Sequence, residues 1–108
     1  MAQDKFLSLL GMCRRAGRLQ WGHDTCVESA RHGRAALCLL AADASERTGR
    51  DIRRAAADGT PVLDTVYTMQ QFETAVGLHA GVLSTEDAGF AKELLRLYRN
   101  DSREDISV

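Results

Sequence analysis

Proline is almost absent from this sequence, with 1 in 108 residues. Together with 44% hydrophobic and 27% charged residues, that scarcity argues against a disordered chain and fits one globular domain with its own core. No apolar run approaches the ~20 residues that a membrane-spanning helix needs. The opening segment MAQDKFLSLLG lacks the basic flank and small-residue cleavage pattern of a secretory signal. The expectation is a cytoplasmic protein with no membrane partner. Cysteine is scarce too: Cys13, Cys26 and Cys38 make an odd set with no CxxC spacing. That argues against a disulfide framework or a zinc site, and each cysteine reads as a small core residue.

Signatures of catalysis are missing as well. Neither GxGxxG nor GxxxxGK[ST] occurs, and no nucleophile elbow is present. His23, His32 and His79 fall in three separate elements. A Cys26–His23 pair at i, i+3 fails as a nucleophile and base, because Cys26 belongs to an inner helix face while His23 sits in the first turn. Asp43 and Asp64 lie near strand ends, without the paired acidic cluster and lysine of a phosphotransfer site. Capping accounts for Asp43 and an exposed strand end for Asp64. The expectation is a non-enzyme with no metal, cofactor or small-molecule substrate.

What is present is an uneven spread of charge. Residues 1–54 hold 10 Lys and Arg against 6 Asp and Glu, while residues 55–108 hold 4 against 9. The net charge of −1 hides this asymmetry. Arginine dominates the basic half, and its planar fork suits phosphates and base edges. On charge alone, an ordinary solvated surface is the favoured account.

Periodicity sets the elements. Phe6, Leu9, Leu10, Cys13 and Ala16 have helical spacing, and Gly17 ends that helix. Residues 19–21 give a short strand. Residues 23–32 give a helix with Cys26, Val27 and Ala30 inward, ended by Gly33. The run ALCLLA at 36–41 reads as a buried central strand. Asp43-Ala-Ser-Glu46 resembles a capping box opening a third, arginine-rich helix that Gly59 and Pro61 stop. A strand at 62–66 follows. Thr68-Met-Gln-Gln71 is a second capping box, and the helix after it ends at Gly77. Residues 81–84 form the last strand. Ser84 or Thr85 then caps a helix with Phe90, Ala91, Leu94, Leu95 and Tyr98 on its apolar face. Residues 1–100 form a single domain, and residues 101–108 a polar tail. The order αβαβαβαβα implies an α/β layered domain with helices on both faces of a four-stranded, mostly parallel or mixed sheet.

Residues 14–33, RRAGRLQWGHDTCVESARHG, concentrate the chemistry. A helix N-terminus beside several arginines is an anion site, because its free N–H groups point outward. Gly22 permits close backbone approach to a ligand. His23 can stack on a base or bond to it, and Asp24 can accept from a base amino group. Arg14, Arg15, Arg18 and Arg34 are candidate phosphate contacts. A plain structural account fits the same residues: a turn glycine, an aspartate favoured by the helix dipole, and solvated arginines.

Three pieces of the chain are similar to one known family. RRAGRLxxG at residues 14–22, the apolar strand followed by AADAS, and STEDAGFAKELL resemble the YlxQ-type bacterial branch of the L-seven-Ae ribosomal-protein superfamily. That superfamily includes kink-turn-binding ribosomal and snoRNP proteins. The resemblance spans roughly residues 4–97. It implies a three-layer α-β-α sandwich that binds structured RNA, of kink-turn or internal-loop type and ribosomal in origin. Binding would use the loop opening the second helix and the loop before the last strand. Against the family motif Gly-Asn-Glu-x-x-Lys, Gly22 keeps the glycine, and His23 and Asp24 take the Asn and Glu places. Val27 stands in the Lys place. Leu78, in the loop 78–80, takes the place of an apolar side chain that packs on a splayed base. The expected RNA-binding set is Arg18, Gly22, His23, Asp24, Arg34, Arg47 and Leu78. Ribosomal proteins are expected as further partners, and an adaptor module of the translation machinery is the alternative function.

Overall fold

The computed structural model describes residues 2–56 and 59–107, with side chains described for 5–56 and 59–100. Its elements are α1 (Ala2–Arg15), β1 (Leu19–Trp21), α2 (His23–Arg31), β2 (Leu37–Leu40), α3 (Glu46–Ala55), β3 (Val62–Asp64), α4 (Met69–Val76), β4 (Val82–Thr85) and α5 (Ala88–Ser107). The order is the αβαβαβαβα read from periodicity. The backbone of α5 stays helical through residues 101–107, the segment expected as a polar tail.

The sheet is mixed, with strand order β1-β4-β2-β3. β2 and β3 are parallel, whereas β4 runs antiparallel to both β1 and β2. All four residues of β2 are buried. This is why residues 36–41 lack polar alternation: helices cover both faces of that strand.

Two cores result, one on each face. On one face, Phe6, Leu10 and Cys13 of α1 meet Leu37, Leu39 and Leu83 of the sheet, with Phe72 of α4 and Leu94 of α5. Phe6 stacks on Tyr67 at a ring separation of 5.4 Å, with Tyr98 edge-on to Phe6. On the other face, Cys26, Val27 and Ala30 of α2 and Ile52 of α3 cover Cys38, Leu40 and Val82. Fully burying a residue such as Ile52 stabilises the fold by about 1.5–3 kcal/mol. All three cysteines are buried and unbridged, and burial pushes the Cys26 and Cys38 thiols up to about 11. They serve as small core side chains.

Helix caps correct the sequence reading at two helices, α3 and α5. Ser45, not Asp43, caps α3, accepting from the Thr48 N–H. The Asp43 carboxylate instead accepts from the Met69 N–H at the start of α4, 2.9 Å away. Ser84 and Thr85 belong to β4, and Asp87 receives the Phe90 N–H at the head of α5. The Thr68–Gln71 capping box and the left-handed Gly77 at the end of α4 are as expected.

Candidate functional site

Strand direction decides which residues meet. β1 and β2 run the same way, since both are antiparallel to β4. Residues that follow β1 and β2 therefore share one end of the sheet, and residues that precede them share the other. Gly22 lies at the first end. Its N–H donates to the Val82 carbonyl at 3.1 Å, which seats the start of α2 beside the entry to β4. The loop between β2 and α3 reaches the same place, with the Ala41 N–H donating to the Gly81 carbonyl. α2 and α3 thus open at the same end of the sheet, on the same face.

Gly22 has φ of +95° and ψ of 152°, a conformation open to glycine and costly for other residues. No side chain caps α2, so its first N–H groups are not closed off by a capping side chain. The Asp24 side chain is fully exposed. His23 is held between two carboxylates. Its Nδ1 lies 3.0 Å from Asp24 and its Nε2 2.8 Å from Asp51 of α3. Both ring nitrogens can donate only in the imidazolium form. The hydrogen bond to Asp24, then that to Asp51, raises the His23 pKa above its ordinary value. Reciprocally, His23 lowers the Asp51 pKa, aided by Arg47 and Arg50.

Beyond His23 an open groove of about 670 Å³ runs between α2 and α3. Its lining includes Asp24, Val27, Glu28, Arg31, Asp51 and Arg54. Val27 forms its floor and is itself buried. Arg31 of α2, paired with Glu28 at 3.6 Å, is joined by cations of the neighbouring helix: Arg47 lies 3.7 Å from Asp51, and Arg50 and Arg54 are exposed. Arg50 and Arg54 escaped the sequence reading. Their signal was the run of four arginines at 47, 50, 53 and 54 in α3.

Arg18 and Arg34 do not join this group. They precede β1 and β2 and sit at the opposite end of the sheet. Arg18 pairs with Asp87 at 3.9 Å, and Arg34 with Glu86 at 3.3 Å. Glu86 also accepts from Ser29. At about 3.3 Å rise per residue, Arg18 and Gly22 stand roughly 13 Å apart along the strand.

Leu78 differs from expectation as well. It is only 6% exposed and packs into the α1–α4–α5 core, so its side chain is not offered at the surface. A hydrophobic residue after a left-handed glycine often folds back onto its helix, and Leu78 follows Gly77. In that loop His79 faces outward and pairs with Glu73 at 2.7 Å.

Trp21 also escaped the sequence reading as a surface residue. It ends the edge strand β1, precedes Gly22, and is 47% exposed. The Arg14 guanidinium lies 5.8 Å from its ring centroid. Among the described residues, no group of three or more His, Cys, Asp and Glu could hold a metal ion. Nor is any described helix long and apolar enough to cross a membrane.

No family model matches the chain. It is 28% identical over 102 residues to the RNA-binding protein YlxQ of Bacillus subtilis, covering 90% of this chain and 98% of that one. It is 25% identical over 95 residues to the RNA-binding protein YlxQ of Enterococcus faecium, covering 88% and 92%. A solved structure of a protein of unknown function from Bacillus halodurans superposes with a TM-score of 0.80. That protein is 32% identical, and the match covers 89% of this chain and 98% of it. Along nearly its whole length the chain is thus similar in sequence to the RNA-binding YlxQ proteins, and in sequence and fold to the Bacillus halodurans protein.

Proposed function

We propose that this protein binds structured RNA without catalysing a reaction, in the cytoplasm, at the end of the sheet where α2 and α3 open. The observation that carries this reading is the meeting of three features there. They are the uncapped α2 N-terminus behind Gly22, the exposed Asp24 carboxylate, and the arginines of α3. Free N–H groups and arginines take phosphates, while a carboxylate accepts from base amino groups and so selects among bases. The names of the YlxQ relatives support the same reading.

The RNA is of kink-turn or internal-loop type, and ribosomal, with ribosomal proteins as neighbours. Gly22, His23 and Asp24 stand in the glycine and base-reading places of the superfamily motif. Arg47, with Arg50 and Arg54, supplies the charge that Val27 does not. Arg18 and Arg34 serve at most as outlying contacts, and Leu78 supports its loop from inside.

Fluorescence anisotropy with three RNAs across a salt series tests this: a kink-turn, a plain duplex, and a kink-turn lacking its G·A pairs. Preference for the intact kink-turn is the expected result. Equal, strongly salt-dependent binding to all three would leave only phosphate attraction and defeat the kink-turn assignment. Absence of binding at low salt would defeat RNA binding itself and leave the adaptor function.

A further inference from the structure

We propose that Trp21 is a stacking surface for an unpaired RNA base; this rests on the RNA-binding reading above. A half-exposed tryptophan is unusual where a core is available, and Leu19, two residues earlier on the same strand, is buried. Trp21 is nevertheless held in place. Its backbone pairs with Leu83 of β4, the next N–H is bonded to Val82, and Arg14 lies over its ring. A ring already fixed loses little freedom when a flat ligand settles on it.

The space beside it fits one ring system. A groove of about 250 Å³ is lined by Leu19, Gln20, Trp21 and Thr25. Drug-sized ligands occupy sites of about 300 Å³ and more. Charge identifies the occupant. Arg14 donates to the Val76 carbonyl and covers the indole, and no carboxylate partner neutralises it among the described residues. An aromatic face beside an unneutralised guanidinium matches a base with its phosphate. An added peptide strand fits less well, because β1 offers only 3 residues for pairing against the usual five or six.

The test uses the fact that Trp21 is the single tryptophan of the chain. Its fluorescence is read alongside the anisotropy of labelled RNA, for a hairpin with a purine-rich internal loop, its fully paired counterpart, and oligoadenylate. The loop RNA and oligoadenylate are expected to quench Trp21 in step with binding, and the duplex is not. Trp21→Ala, checked for folding by circular dichroism, is expected to lose about 5- to 100-fold in affinity for the loop RNA, as base–aromatic stacks do. Trp21→Phe should keep most of it. Binding with unchanged emission and parental affinity in Trp21→Ala would overturn the stacking role while RNA binding stands. Absence of binding to every RNA would overturn both. Concentration-dependent emission with dimers in sedimentation would give the edge to a second copy instead and overturn the proposal.

Discussion

Replacing Arg47 and Arg50 by alanine, and separately Arg18 and Arg34, distinguishes one RNA-binding end from a general basic surface. The first pair sits at the α2–α3 opening, where both arginines act on Asp51. The second pair is tied to Asp87 and Glu86 at the other end of the sheet. Folding should barely change, because exposed ion pairs of this kind contribute at most about 1 kcal/mol. Each arginine that neutralises one phosphate contributes about 0.7–0.9 to the slope of log affinity against log salt. Arg47→Ala with Arg50→Ala should therefore flatten that slope by about 1.4–1.8. Arg18→Ala with Arg34→Ala should leave it nearly unchanged. The separation of roughly 13 Å along the strand exceeds the screening length of about 8 Å at physiological salt. Anisotropy titrations between about 50 and 200 mM salt measure both slopes. A larger flattening from the Arg18 and Arg34 pair would refute the placement of the interface.

Three further outcomes follow from the geometry. The His23 ring should titrate above its ordinary value of 6.5 in NMR spectra, and Asp24→Asn or Asp51→Asn should each lower its pKa. Because the folded pKa is raised, the stability it contributes is full below pH 6.5 and is lost as pH rises through the folded value. A His23 that titrates at or below 6.5 would remove the bridge between α2 and α3. Thr85→Val should cost about 1–3 kcal/mol in urea unfolding. The Thr85 hydroxyl donates to the Arg18 carbonyl at 2.7 Å and accepts from the Asp87 N–H at 3.1 Å, and valine does neither. Thr85→Ser should recover most of the loss. Gly77→Ala should destabilise by about 1–2 kcal/mol, because φ is +79° there and the Arg14 guanidinium occupies the space of a Cβ. Unchanged thermal unfolding would show that the end of α4 relaxes freely.

The sequence was legible wherever one dimension suffices. Burial on both faces writes itself as an unbroken apolar run, and β2 is that run. A capping box spans four residues, and Thr68 with Gln71 forms one. The site was harder because charge along the chain does not reveal which end of a strand it occupies. Arg18 and Gly22 are four residues apart, yet β1 lies between them and sends them to opposite ends of the sheet. Asp43 misled for a related reason: it lies in the turn two residues ahead of the Ser45 cap, and its carboxylate finds the Met69 N–H of α4 instead. Leu78 was expected as a surface contact from its place in the family's loop, but the glycine before it directs it inward. His23 was read as stacking on a base or bonding to it, while the structure commits both ring nitrogens to carboxylates. The binding chemistry of that residue is therefore coupled to its protonation. A neutral His23 releases one carboxylate beside Gly22 and makes the α2 opening more negative, so affinity for an anionic partner should fall as pH rises through the His23 pKa.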